Sequence, residues 1–494
     1  MSKKAVSVIL LTISQGVNLI IGFLFTPYLA RALEKNIYGS FLQTIMISDV
    51  ISIVTSVAII QIAMMFFANI EKNFESSLKT VLVFTLVGGV AGAIICFLFS
   101  YFASQIFDNA LLGVLLKVFA ISIIGSKLNE VLKQAMIKVG KTKFLMILVI
   151  ATNFTKLCLA LIAIRLFNSL TLLLLIFALE LIVSSLIQLF VLNKMKLLGG
   201  KFDRSVVRDI LKVGLPLYLV ELLGNSYSYI ALFIISTYFN ESQYAVYRNG
   251  SIELPMIGVM YATISTIFMA DMSVNIQQSN FAAIASMKKK IITTTAILLF
   301  PVAIFFIFYS KEFILIYLSD RYIDSYKIFI VFTFALFIRF QNYTDVLILL
   351  KKSKYVLISF LVFIIVNIAL NLLLSKYLGI LGCAVATIVS VYVLAFMQLH
   401  ITVRQLKVRY SDYIDSVRLL KIVAVSTIVI GISRVIMYYA CLPNLYTFVI
   451  AGIATLPLLF FYFIRSKYIE IELYKSVFDK IPIFGHKIYN ILRK

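Results

Sequence analysis

The sequence predicts an all-α, polytopic membrane protein of about fourteen transmembrane helices, and three observations lead there. Hydrophobic residues make up 62% of the chain and charged residues only 14%, and the mean hydropathy is +1.02. Soluble globular domains do not have such a composition. Apolar runs long enough to cross a hydrocarbon core follow one another along nearly all 494 residues, which leaves no room for a sizeable soluble domain. Finally, Lys and Arg alternate between rich and poor connections, as the positive-inside rule requires.

Taken in order, the runs lie at 5–30, 38–67, 80–102, 111–137, 144–164, 170–192, 210–239, 244–270, 291–309, 328–350, 355–374, 380–403, 421–440 and 445–464. A core of about 30 Å needs roughly 20 apolar residues per helix, which each run approaches or exceeds. The first run follows Lys3 and Lys4 like a signal peptide. It is too long for one and lacks a small-residue cleavage site, so it is read as a retained span. Pro216 and Pro255 are expected to kink spans 7 and 8.

Loop charge tests the count. With the N-terminus inside, the inner segments hold Lys3 and Lys4; Lys72 and Lys79; Lys138, Lys141 and Lys143; Lys194, Lys196, Lys201, Arg204 and Arg208; Lys288, Lys289 and Lys290; Lys351, Lys352 and Lys354; Arg404, Lys407, Arg409, Arg418 and Lys421; and the cations from Arg465 onward. The outer connections hold only Arg31, Lys35, Arg165, Lys311, Arg321, Lys327 and Lys376. A miscounted span would invert the bias beyond the error, so both termini are expected to be cytoplasmic. The net charge of +23 is then mostly a topology signal and needs no nucleic acid. The outer connection from Tyr309 to Lys327, with Glu312, Asp320 and Asp324 beside its cations, reads as a solvated face.

The two histidines, His400 and His486, and the scattered Cys96, Cys158, Cys383 and Cys441 form no ligand spacing. No cofactor or metal site is expected, and the cysteines read as packing residues. The tail from Ser466, which mixes aromatic, apolar and lysine residues, is expected to be an interfacial amphipathic segment.

The chain also repeats itself. GKTKF at 140–144 corresponds to KKSKY at 351–355, SSLIQLF ending at Phe190 to LAFMQLH ending at His400, and LEKNIYGSF at 33–41 to FNESQYAVY at 239–247. Three anchors in the same order imply two parallel six-helix bundles related by an axis along the membrane normal. The expected divisions are a bundle at 1–192, a cytoplasmic linker at 193–209, a second bundle at 210–403, two appended helices at 404–464 and a cytoplasmic basic tail at 465–494.

These features, with NLIIGFLFTPYLARALEKNIYGSF near the start, VGLPLYLVELLGNSYSYIALFIISTYFNESQYAVY opening the second half and LGILGCAVATIVSVYVLAF in span 12, resemble the Wzx-type polysaccharide transporters of the multidrug, oligosaccharidyl-lipid and polysaccharide exporter (MOP) superfamily. The resemblance covers the whole chain. It implies a MATE/MOP-like fold with a V between the bundles, residence in the bacterial cytoplasmic membrane, and flipping of an undecaprenyl-diphosphate-linked oligosaccharide to the outer leaflet for O-antigen or capsule synthesis. Partners expected on that reading are the lipid-linked oligosaccharide, membrane lipids, a polysaccharide polymerase and a chain-length regulator.

Charges inside the spans are the candidates for function, since each costs about 2.5–3.5 kcal/mol at the bilayer centre on insertion scales. Lys127 lies near the middle of span 4, with Glu130 one turn further on. The two could neutralise each other at i,i+3, or the lysine could serve a substrate. Carried forward by the repeat, Lys127 lands beside Arg339 in span 10, which has Asn342 and Tyr343 at helical spacing and Asp345 nearly two turns away. Lys156 adds a cation at similar depth, and Arg248 lies in span 8. A diphosphate suits such a set, because guanidinium binds it in bidentate fashion and lysine supplies a mobile point charge. Arg434 in span 13 is expected to snorkel to an interface.

For sugar or cavity lining, span 7 offers Tyr218, Glu221, Asn225 and Tyr229 on one face, and spans 1 and 2 add Asn18, Gln43 and Asp49. Hydrogen bonding between packed helices is the alternative for each. Asp49, Glu221 and Glu253 are candidates for proton or sodium coupling, or else counter-charges of Arg248 or Lys156. Rival functions are a lipid II flippase, a cation-coupled multidrug exporter, and a membrane glycosyltransferase or polymerase. The last would need a catalytic group in a large outer loop, and the loops are short. Mid-membrane cations argue against cationic drugs.

Overall fold

The computed structural model describes residues 3–55, 67, 74–252, 268–269 and 271–466, and among these every regular element is helical. In order they are α1 (Lys3–Ala32), α2 (Lys35–Val54), α3 (Phe74–Ile106), α4 (Leu112–Phe119), α5 (Ser122–Lys138), α6 (Thr142–Arg165), α7 (Leu170–Lys194), α8 (Arg204–Tyr238), α9 (Glu241–Gly250), α10 (Phe281–Phe308), α11 (Ser310–Tyr317), α12 (Ser325–Thr333), α13 (Asp345–Leu349), α14 (Ser353–Leu406), α15 (Tyr410–Tyr413), α16 (Ser416–Tyr439) and α17 (Asn444–Arg465). Side-chain caps begin several of them. Ser169, Asp203, Asn280 and Asp415 each accept a hydrogen bond from a backbone N–H of the first turn of α7, α8, α10 and α16, which satisfies donors that a helix start leaves open.

Among the described residues nine helices are long and apolar enough to cross a membrane, with α4 and α5 taken together as one and α14 as one. The protein is a multi-pass membrane protein. α14 has 54 residues and is interrupted at Gly379, whose φ of 59° and ψ of −142° only glycine adopts readily. At about 1.5 Å per residue its length is about 80 Å, far more than one crossing requires. The break falls between spans 11 and 12 of the sequence, and Gln398 beyond it donates to Ser359 before it (2.9 Å), so the two arms pack together.

By packing, the chain divides into two units, Met1–Arg248 and Asn249–Lys494. In the first, α5 packs on α3 and α7, α1 on α6, and α8 on α2 and α3. Gly125 permits the closest approach of α5 to α7, where a Cβ would meet the Leu181–Ile182 backbone at 2.9–3.0 Å. The same seam is joined by hydrogen bonds from Ser185 to the Gly125 carbonyl (3.0 Å) and from Gln188 to Asn129 (2.7 Å). Small residues with interhelical polar contacts are the ordinary means of packing helices in lipid, where apolar burial supplies no drive.

The repeated turns at 33–41 and 239–247 meet in this unit, with no room for a Cβ at Gly39 against the backbone of Glu241. Their equivalent tyrosines, Tyr38 and Tyr244, are both buried. The first unit's core is centred on Leu78, Val131, Leu132, Met136 and Leu192.

In the second unit α10 is the most enclosed helix and packs on α16, α17 and α12. Its apolar cluster includes Ile292, Ile297, Phe300 and Phe305, with Ile422 and Ile430 from α16 and Leu459 from α17.

Three expectations are corrected here. Span 9 is longer than read: α10 begins at Phe281, so Lys288, taken for a loop cation, lies within a helix and is 1% exposed. Span 10 is not one helix, because α12 gives way to a tight 3-10 turn at Phe334–Phe337, an irregular stretch at 338–344 and the short α13. The connection after Tyr309 is not a solvated face in its first part, since α11 is helical and Glu312 is buried. Of the cysteines, Cys96 and Cys383 are buried as expected, whereas Cys441 is exposed. The tail expected to be amphipathic lies, beyond Ser466, outside the described residues, as does Pro255.

Candidate polar site

Five of the residues singled out by sequence converge in the first unit. Asp49 on α2 accepts a hydrogen bond from the Tyr229 hydroxyl on α8, and the charges of Arg248 on α9, and of Lys127 and Glu130 on α5, act on it. Lys127 is 6% exposed. Asp49 keeps accessible surface although packed helices surround it, and Arg248 is exposed. The buried Tyr244 adds a second ring beside Arg248, Asp49 and Tyr229. Two cations and two carboxylates therefore share one region with two phenols, drawn from α2, α5, α8 and α9.

The ionic chain continues along α5. Lys133 lies within electrostatic reach of Glu130, and of Glu180 on α7 and Lys156 on α6. Lys156 Nζ stands 3.3 Å from Glu180 Oε2 and 5.3 Å from the centre of the Phe177 ring. Lys156, expected as a third phosphate-binding cation, is thus already neutralised by a carboxylate and a ring face. Its carboxylate partner is Glu180. Glu180 was missed by sequence reasoning, though an acid inside a span was the signal that marked the others.

Gln43 is placed differently from the lining role. It is fully buried, accepts from Asn109 Nδ2 (2.7 Å) and donates to Ser236 (2.9 Å), while Asn109 also donates to Ser40 (2.9 Å). This is an interhelical junction joining α2, the turn after α3, and α8. Tyr218 donates to the Val54 carbonyl at the end of α2 (2.6 Å), so its hydroxyl also serves helix packing. Asn18 is exposed on α1. Glu221 and Asn225 lie on α8 with side chains outside the described part, and Glu253 lies outside the described residues.

In the second unit Arg339 is half-buried on the irregular stretch after α12, not on a helix face. The spacing to Asn342 and Tyr343 read from a continuous helix does not apply. Beside this stretch Lys288 pairs with Asp345, each 1% exposed, and donates to the Asn342 carbonyl (3.0 Å). Arg434 does not simply snorkel: its guanidinium binds Glu312 (2.6 Å) and lies 5.1 Å from the centre of the Tyr309 ring. Among the described residues no group of three or more His, Cys, Asp or Glu could hold a metal ion.

The first-unit cluster can bind an anion on Lys127 and Arg248, with hydroxyls and carboxylates at hand for sugar hydroxyls, and Asp49 can exchange a cation with an approaching ligand. Comparison with known proteins bears on the family and on the fold. Residues 28–327 match the sequence profile of a family described as polysaccharide biosynthesis protein. The lipid II flippase MurJ in an inward closed conformation superposes with a TM-score of 0.71 at 15% identity, over 94% of this chain and 99% of that one. An inward-facing multidrug resistance MATE family transporter of the MOP superfamily gives 0.61 at 15%, over 81% and 98%. A MOP superfamily transporter from Pyrococcus furiosus gives 0.55 at 13%, over 81% and 94%. These likenesses establish the fold as MOP/MATE-like. No curated protein matches the sequence significantly.

Proposed function

Since the chain belongs to the polysaccharide biosynthesis protein family, we propose that it is a flippase for lipid-linked oligosaccharide, a transporter and not an enzyme. It carries undecaprenyl-diphosphate-linked repeat units from the inner to the outer leaflet of a bacterial cytoplasmic membrane, with both termini on the cytoplasmic side, for O-antigen or capsular polysaccharide. Transport proceeds by alternating access. The observation that carries this reading is the convergence of Lys127 and Arg248 on Asp49 and Tyr229, within a chain that has the fold of a lipid II flippase.

The cations take the diphosphate while the isoprenoid tail stays in lipid. Arg339 retains the same role in the second unit through its place in the sequence repeat alone. Lys156, held by Glu180, is left out of it. Asp49 is the candidate for proton coupling, released from Arg248 and Lys127 when the diphosphate claims them. A polymerase and a chain-length regulator would receive the flipped unit.

The test is complementation of a strain that lacks its O-antigen or capsule flippase, comparing the wild-type gene with Lys127→Ala, Arg248→Ala and Arg339→Ala at matched expression. Restored surface polysaccharide with wild type, lost with the substitutions, is the expected result. Restored drug resistance instead would overturn the reading. The structural likeness to the lipid II flippase favours lipid II as a second substrate class, and rescue of a lipid II flippase depletion strain would decide for it.

A further inference from the structure

The stretch 338–344 separates the apolar helical segment ending at Phe337 from α13 although it contains neither Gly nor Pro, the residues that break helices by themselves. Side chains sustain it. Tyr343 donates to the Ile338 carbonyl (2.8 Å), and Asn342 Oδ1 accepts from the backbone N–H (3.0 Å) and hydroxyl (2.8 Å) of Thr344. Lys288 reaches across from α10 to the Asn342 carbonyl (3.0 Å) and to Asp345, the first residue of α13.

Irregular backbone at membrane depth persists only where its polar groups are satisfied by protein or water, and interrupted helices in transporters are where binding groups are presented. Lys288 and Asp345, at 1% exposure each, form an ion pair whose desolvation cost a packed hydrophobic pair would avoid. What the pair maintains is the segment that carries Arg339.

We infer that Lys288 and Asp345 are positioning residues: they clasp the interrupted helix and so fix the Arg339 guanidinium where it can bind a substrate diphosphate. This rests on the lipid-diphosphate reading above. Neither residue touches the ligand. The geometry of the break, and with it the reach of Arg339, depends on the lysine bridging a carbonyl on one side of Thr344 and a carboxylate on the other.

The test uses the full-length protein in detergent with undecaprenyl diphosphate as the probe, affinity and thermal stability being measured on each variant. Arg339→Gln is expected to weaken binding about tenfold. Lys288→Met and Asp345→Asn should each weaken it to the same level and add nothing when combined with Arg339→Gln, whereas a general loss of packing would add. Tyr343→Phe removes one hydroxyl and leaves the ion pair, so it remains readable if the buried-charge variants do not fold; a smaller loss in the same direction is expected. Wild-type affinity in folded Lys288→Met, Asp345→Asn or Tyr343→Phe, beside weakened Arg339→Gln, overturns the inference and leaves the flippase reading standing. So does an unaffected Arg339→Gln beside a weakened Lys127→Gln. A wild-type protein that does not bind the probe overturns both.

Discussion

Gln43 offers a clean separation between a residue that lines a substrate path and one that joins helices. Gln43→Leu nearly conserves volume while removing two interhelical hydrogen bonds, one from Asn109 (2.7 Å) and one to Ser236 (2.9 Å). Hydrogen bonds between membrane helices contribute about 0.6 kcal/mol on average and at most about 1.7, because the separated helices find other partners. Two of them amount to about 1–3 kcal/mol, a shift of about 1–3 °C in Tm for a chain of this size. Thermal unfolding of the purified protein should show that loss. A double-mutant cycle with Asn109→Leu should return a coupling of about 0.5–1.7 kcal/mol, the share of the single bond between them. Complementation should fall only as far as the amount of folded protein falls, with the same preference among lipid-linked sugars as wild type. An unchanged Tm together with an altered sugar preference would refute the assignment and return Gln43 to the lining.

Other outcomes follow from the remaining contacts. Arg434→Met leaves the buried Glu312 without its guanidinium partner; with Arg434 one-third exposed, the cost is reduced below that of a fully enclosed pair to about 1–3 kcal/mol. Combining it with Glu312→Gln should recover part of the Tm, and no recovery would show that the pair is not the interaction lost. Gly39→Ala forces a Cβ into the Glu241 backbone and is expected to cost at least about 1–3 kcal/mol by overpacking, read as loss of monodisperse protein. Gly140→Ala has open space around it, and only the φ of +73° opposes it, so its effect should be smaller.

Asp203, in the connection before α8, accepts hydrogen bonds from the Ser205 N–H and hydroxyl, which hold its carboxyl below the usual carboxylate range. Its capping contribution is therefore fully present above the ordinary carboxylate pKa and disappears as pH falls through the lowered value. Protection of the first-turn amides of α8, taken relative to their intrinsic exchange rate at each pH, should fall on acidification in wild type. Asp203→Asn should flatten that dependence, and a wild-type dependence that survives the substitution would assign it to another group.

The helical class was legible because lipid imposes long apolar runs and basic alternation, and both survive in any single sequence. The break at Gly379 falls in the gap already read between the apolar runs 355–374 and 380–403. Lys127, Asp49 and Arg248 were legible one by one through the rarity of charge within spans, and Tyr229 through the polar face of span 7, but their meeting was not, because α2, α5 and the adjacent pair α8 and α9 are far apart in sequence. Lys288 was hidden by its neighbours: in the run Lys288–Lys290 it looks like one more topology cation, and only the fold shows it turned inward.

That single misplacement also explains the error at span 10. An interruption made by glycine or proline is written at its own position, whereas the one at 338–344 is bridged by Lys288, some fifty residues earlier on another helix. Its own residues are individually compatible with helix. In a membrane such an interruption cannot exist as a local preference, because the freed carbonyls need donors that lipid does not supply. On the inference that the lysine supplies such a donor, a sequence in which Lys288 were leucine should favour a continuous helix from Ser325 to Leu349. Helical content of that variant, measured by amide exchange across 338–344, should rise. Unchanged exchange there would mean that Tyr343 and Asn342 suffice to hold the break without the ion pair.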